Sequence, residues 1–374
     1  MLHGHRSEFF LYALLLGHRL HALDPQCLRL LLVGRSGSTL EADYSPTDRS
    51  CLQKLWDIKE VGLVDVPTAD KTRGKRHRFV FTKLHMFRVD VRKVVFFDLD
   101  VIVRSDPSEL FLVRAPAGMY HGGWDRMLAR HGEELPASEA FGSPDKPVGC
   151  INAGLLRIDP NPSETERELQ ATQMFQAASQ LLEDDASYLP EQYLLVRMLF
   201  KWQHIDVKWN CEIGPMYYLD DDHQVVSLAS KLHHDWVLLG NSQVSLQENV
   251  HMFHFSGTWL EPWWFIHLFS EQGFAFVQHQ MEHRDPRGMV ALAVYEWLHG
   301  IEQMRRSSVF ATKDQQHINE HISSLAWTAS QWWEVHTTAC TVCSKLLYFC
   351  SSLGVCEECK VKQYVARSGD FCLT

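Results

Sequence analysis

Val94-Val95-Phe96-Phe97-Asp98-Leu99-Asp100 is the stretch that decides the fold. Four consecutive β-branched or aromatic residues that stop at an acid predict a buried strand. Two carboxylates then sit at its C-terminal end. Side chains two apart on an extended chain point the same way, so Asp98 and Asp100 face one site while Leu99 turns into the core. Two like charges that close raise each other's pKa unless a cation lies between them. A hard divalent ion with oxygen ligands is the natural cation, and it commonly arrives with substrate phosphates. A strand that merely ends in a polar turn has the same appearance, so the motif needs support from the rest of the chain.

Strand and helix patterns alternate on both sides of it. Upstream, Phe9 to Leu20 reads as a first helix, Leu28 to Gly34 as a buried strand and Cys51 to Trp56 as a helix. A second strand is expected over Val61 to Val66, stopped by Pro67, and a helix over Val80 to Val89. Downstream, Asp106 and Pro107 open a short helix, with Glu109 placed to complete a capping box. Residues 124–149 read as a long surface loop or lid. Cys150 to Ile158 is strand-like, and Ser163 to Asp184 is a polar helix. Pro190 opens another helix, Asn249 to Gly257 is a strand and turn, and Pro286 to Met304 is an amphipathic helix. The order predicts an α/β fold with a mixed, mainly parallel sheet flanked by helices, whose ligands bind at the carboxyl ends of strands.

Composition narrows the function. The chain has 374 residues, 45% of them hydrophobic, enough for a sizeable core. Its net charge of -10 argues against a nucleic-acid partner. The apolar run near the N-terminus is too short for a transmembrane segment, and none is expected. Asn161-Pro162-Ser163 is a glycosylation sequon blocked by proline, which favours a cytoplasmic location. A Golgi or secretory lumen is the alternative if the N-terminus is truncated.

Five segments in order carry a family resemblance: Thr82-Lys83-Leu84-His85, Asp98-Leu99-Asp100, Asn152-Ala153-Gly154, Pro190-Glu191-Gln192 and His254-Phe255-Ser256-Gly257. With Leu15-Leu16-Gly17-His18, they resemble glycosyltransferase family 8, the glycogenin-like enzymes, over roughly residues 9–270. The resemblance implies a Rossmann-like GT-A fold and retaining transfer of a hexose from a UDP-sugar to an acceptor hydroxyl on a protein, glycan or small molecule. It implies Mn2+ (or Mg2+) held by Asp98, Asp100 and His254. It also implies donor contacts from Lys83, Asp98, Leu99, Asn152, Gly154 and Gly257, and a catalytic role for Glu191 and Gln192. A homodimer is compatible with it.

Three departures accompany the resemblance. Glu191 stands where the family usually has Asp, and no lysine follows Gly257 in Thr258-Trp259-Leu260-Glu261-Pro262-Trp263. The family's first strand, before its first helix, has no counterpart in Met1 to Ser7, and an absent strand predicts a gap in the sheet or an exposed edge. A non-catalytic nucleotide-sugar-binding or interaction protein of the same fold is therefore the competing expectation.

Six of the ten cysteines, Cys340, Cys343, Cys350, Cys356, Cys359 and Cys372, lie in the last 35 residues. Cys340-x-x-Cys343 and Cys356-x-x-Cys359 have the spacing of a structural Zn2+ site, with a disulfide-linked tail as the competitor. The expected organisation is a transferase domain over 1–285, a helical extension over 286–335 and a Cys-rich tail over 336–374.

Overall fold

The computed structural model describes residues 7–35, 44–65, 79–120, 130–135, 151–181, 190–213, 217–219, 225–227, 250–256, 261–268 and 289–336. Gly257, the Cys-rich tail and most of the expected loop 124–149 lie outside the described residues. The described residues form two compact units, one of residues 1–211 with 249–254, the other of 212–248 with 255–374.

In the first unit, α1 (Ser7–Leu23) is the predicted first helix. Phe10 through Gly17 are all buried, so it is enclosed on every side for two turns rather than amphipathic. A Cβ on Gly17 would lie 2.3 Å from Trp56 Nε1. The bare glycine lets that indole close in and donate to Ala13 O at 2.9 Å. β1 (Leu30–Arg35) pairs in parallel with β2 (Asp57–Gly62). The helix between them, α2 (Pro46–Gln53), begins five residues earlier than the apolar pattern indicated. Ser45 Oγ accepts from Asp48 N and Asp48 Oδ2 accepts from Ser45 N, a capping box with Pro46 in the first turn. That start pulls the next strand forward, to 57–62 in place of 61–66.

The sheet that carries the candidate site has the order β3 (Val94–Phe97), β6 (Ile151–Ile158), β5 (Ala117–Tyr120), β7 (Gln203–His204). β3 and β5 run antiparallel to β6, and only β7 is parallel to its neighbour β5. The mixed α/β class with helix-flanked sheets holds, but pairing among the described strands is more antiparallel than the strand-helix alternation indicated. β6 lies between β3 and β5 and is buried along its whole length, which explains its unbroken apolar reading. A 3-10 helix (Val80–Arg88) replaces the expected α-helix and packs on α3 (Glu164–Leu181). α4 (Pro190–Met198) follows α3 and rests on β6.

β4 (Val101–Val103) pairs antiparallel with β11 (Met252–His254). β8 (Cys211–Glu212) is on the other side of β11, and β9 (Tyr217–Leu219) and β10 (Val225–Ser227) form a separate antiparallel pair in the second unit. Asp106 caps the 3-10 helix Pro107–Leu112 by accepting from Ser108 N. Glu109 completes no capping box; its carboxylate turns instead to Trp209 Nε1 and Lys208. The second unit also holds α5 (Met289–Arg305) and α6 (Thr312–His336), with Trp297, Ile301 and Ile318 in its core. Among the described residues no helix is long and apolar enough to cross a membrane.

One buried histidine predicts an acid sensitivity. His204 on β7 accepts from Tyr120 N, and burial, with His131 nearby, lowers its pKa to about 4. The unfolded chain takes up that proton near pH 6.5, well before the folded one, so stability falls as pH drops from about 6.5 to about 4. The loss is at most about 3 kcal/mol. Urea unfolding at pH 7 and pH 5 should show the drop, and His204→Gln should flatten it.

Candidate active site

β3 ends at Phe97 and β4 begins at Val101, so Asp98-Leu99-Asp100 is the short link between them. Leu99 is buried, as expected, and both aspartates are partly exposed. Two strand registers build the rest. The main chain continues the β3·β6 ladder beyond Phe97, with Asp98 N donating to Gly154 O at 2.8 Å. The β4·β11 register sets His254 opposite Val101, the residue after Asp100. Asp98, Asp100 and His254 thus each present a ligand atom, all within 4.8 Å of one another.

The charges around this trio are unbalanced. Lys83, on the 3-10 helix, is buried with Nζ 3.3 Å from both carboxylate oxygens of Asp98 and 3.5 Å from Glu191 Oε1. Burial pulls its pKa down, but Asp98 and Glu191 outweigh burial and raise it, so Lys83 stays an ammonium. Burial likewise pushes the Asp100 carboxyl up, while the His254 ring when protonated, together with Lys83, holds it below the usual range. Three carboxylates (Asp98, Asp100, Glu191) against one ammonium leave a formal charge of -2 here, three minus one. Glu191 Oε2 is buried without a hydrogen-bond partner. Gln192 is buried beside Glu191 in the first turn of α4.

A chain of hydrogen bonds sets the His254 tautomer, starting from a main-chain donor whose direction is not in question. Gly154 N–H donates to Asn152 Oδ1 at 2.8 Å, which fixes that amide. The same oxygen accepts from Asn210 Nδ2 at 3.0 Å, so the Asn210 oxygen points the other way. That oxygen lies 2.8 Å from His254 Nδ1, so Nδ1 carries the proton. In the neutral ring, Nε2 then presents a lone pair toward Asp100 Oδ1 at 3.6 Å, too long for a hydrogen bond. Two acceptors facing each other beside a -2 charge are the donor set of a cation site. Carboxylate oxygens with an imidazole suit a divalent transition metal.

The sequence-predicted residues Lys83, Asp98, Leu99, Asp100, Asn152, Gly154, Glu191, Gln192 and His254 fall within the same unit. Lys83, Asp98 and Glu191 meet through ion pairs, and Asn152, Gly154 and His254 through the amide chain. Gly257 lies outside the described residues. Asn210, fully buried, was not anticipated. Its partners are 44 and 58 residues away, and no local motif marks it.

Gly154 is required by close approach. A Cβ there would lie 2.1 Å from His254 Cε1. Gly154→Ala is expected to push the imidazole out of place and to cost about 1–3 kcal/mol of stability. Denaturant unfolding together with the His254 ring resonances checks both.

No family model matches the chain. A curated relative, an uncharacterized protein (R707) of Acanthamoeba polyphaga mimivirus, is 26% identical over 255 residues, covering 67% of this chain and 76% of that protein. Among solved structures, the galactosyltransferase LgtC in complex with donor and acceptor sugar analogs is 16% identical. That match covers 79% of this chain and 94% of LgtC, with a TM-score of 0.46. The apo bifunctional glycosyltransferase WbbM is 14% identical, covering 85% of this chain and 50% of WbbM, with a TM-score of 0.47. Apo mouse xyloside xylosyltransferase 1 is 13% identical, covering 70% of this chain and all of that one, with a TM-score of 0.36.

Proposed function

We propose that this chain is a metal-dependent glycosyltransferase that moves a hexose from a UDP-sugar to an acceptor hydroxyl with retention of configuration. The observation that carries the reading is the meeting of Asp98, Asp100 and the His254 Nε2 lone pair in a pocket with formal charge -2. The order of the glycogenin-like motifs along the chain supports it from the sequence side. Asp98, Asp100 and His254 would hold Mn2+ or Mg2+. A bound divalent ion there supplies Lewis-acid neutralisation of the charge growing on the departing diphosphate.

The remaining residues act around that charge. Lys83, locked as an ammonium, is a fixed positive group at the same edge of the pocket and stabilises anionic oxygens without reorienting. Glu191 spends one carboxylate oxygen on Lys83. Its unpartnered Oε2 is the oxygen available to a positively charged, oxocarbenium-like sugar carbon. Gln192 lies beside it in the same helical turn. Gly154 allows the ring of His254 to seat, and Asn210 holds the tautomer that points the Nε2 lone pair toward Asp100.

Two experiments test this. The full chain is incubated with Mn2+ and a panel of UDP-sugars, and free sugar and UDP are measured. Release from at least one donor, abolished by chelation, is the expected result. No turnover with any donor, despite Mn2+-dependent UDP binding, would favour the non-catalytic binding protein. Separately, Asn210→Ala should weaken Mn2+ binding by about 10–100-fold with little change in fold, because the ring loses its orienting acceptor. Calorimetric titration of Mn2+ reads it directly.

A further inference from the structure

α6 carries the run His317-Ile318-Asn319-Glu320-His321, which the transferase reading does not use. Residues four apart on a helix stand one above the other on the same face. The run therefore sets two imidazoles side by side, with a carboxylate just before the second. Two histidines at this spacing, with a glutamate between them, are a recurrent zinc-binding pattern on helices.

The second unit places these side chains together. The His317 and His321 rings meet edge to face, with 4.9 Å between centroids and 90° between planes. Their ligand nitrogens lie within 4.8 Å of one another. Asp314, Ile318, Ile322 and Leu325 form the buried stripe of α6. The two histidines flank that stripe and are partly buried, so each ring can still turn about χ2 to aim at a shared ion. Glu320 supplies the orientation. Its Oε2 lies 3.5 Å from His317 Nδ1, and its Oε1 accepts from Gln316 Nε2 at 3.4 Å. A carboxylate facing Nδ1 favours a proton there and puts the lone pair on Nε2.

We propose that His317 and His321 bind one divalent transition-metal ion of the Zn2+ class, as a clip across one turn of α6, with Glu320 orienting His317. Imidazole ligands suit Zn2+, Ni2+ and Cu2+, whereas Mg2+ and Ca2+ prefer carboxylates, carbonyls and water. The remaining coordination positions fall to water or an added ligand. The site shares no residue with Asp98, Asp100 and His254, and it is independent of the proposed transferase activity.

The test is nuclear magnetic resonance of the full chain labelled at the histidine ring nitrogens, with Zn2+ as the probe. His317→Gln and His321→Gln assign the two rings. Each ring reports on its own signal, so Zn2+ taken up elsewhere in the chain is read separately. The expected result is that both rings shift together along one saturable curve. The ring of His299, an exposed histidine on α5, should stay where it is, and Mg2+ should move none of the three. Removing either histidine should abolish the response of the other at the same Zn2+ concentration. Glu320→Gln should weaken binding by about 10–100-fold, because the amide no longer holds the Nδ1 proton as a carboxylate does. Circular dichroism of each variant confirms that the helices form. The proposal is overturned if the rings stay unmoved at millimolar Zn2+, if one shifts without the other, or if His317 responds unchanged in His321→Gln. An equal response to Mg2+ overturns it too, and an unchanged midpoint in Glu320→Gln overturns the orienting role.

Discussion

Asp100→Ala should lower UDP-sugar turnover by about 10³-fold or more, roughly 4 kcal/mol of transition-state stabilisation. The argument is electrostatic. Burial pushes the Asp100 carboxyl up, but a charged His254 ring and Lys83 draw it below the usual range, so it is a full negative charge at neutral pH. It is one of three groups whose ligand atoms converge, and two ligands hold a divalent ion far less well than three. The fold should tolerate the change. The Asp100 side chain is 29% exposed, so its removal opens no buried cavity. Because its carboxyl is held below the usual range, the variant without Mn2+ should fold with a modest loss of stability. The parent should gain stability when Mn2+ is added, about 2.7 kcal/mol at a hundred times its dissociation constant. The variant should gain almost none at that concentration. Turnover assays and thermal melts with and without Mn2+ separate a lost ligand from a damaged fold.

Lys83→Met should be the most destabilising single change in the site, by about 3–5 kcal/mol. The Lys83 and Glu191 side chains are 7% and 6% exposed, so removing the ammonium strands a buried carboxylate. Asp98 loses the same partner at 3.3 Å. The pH dependence has a defined sign. The folded-state pKa of Lys83 lies above its ordinary value, so the ion pair's contribution is complete at neutral pH and is lost as pH rises through that higher pKa. Adding Glu191→Gln to Lys83→Met should recover part of the loss, because an amide tolerates burial without a counter-charge. A double-mutant cycle on urea unfolding should show a coupling of about 1–3 kcal/mol between the two positions. A cycle that closes to zero would mean the two side chains do not meet.

Much of the site was legible because its signals are local. The apolar runs of β3 and β6 mark buried strands, Pro190 marks the start of α4, and an aspartate pair flanking a leucine places two carboxylates together in any extended link. What was not legible depends on contacts distant in sequence. No residue within β4 or β11 announces that Val101 will lie opposite His254, yet that register delivers the imidazole to the aspartates. Asn210 escaped notice for the same reason. The displaced second strand has a different cause: the capping box at Ser45 and Asp48 set the start of α2, and an apolar pattern without attention to caps placed that helix too late. The antiparallel pairings arise from short strands that return locally, which strand-helix alternation does not reveal.

The central claim is that Asp98, Asp100 and His254 hold one divalent ion, with the ring ligating through Nε2. Its most direct test is nuclear magnetic resonance of histidine-labelled protein during Mn2+ titration, with the His254 ring assigned by His254→Gln. The account predicts strong paramagnetic broadening of the His254 ring at low Mn2+, with the Nδ1–H tautomer present beforehand and the broadening lost in Asp100→Ala. A His254 ring that stays sharp while Mn2+ broadens signals elsewhere, or that carries its proton on Nε2, would contradict it.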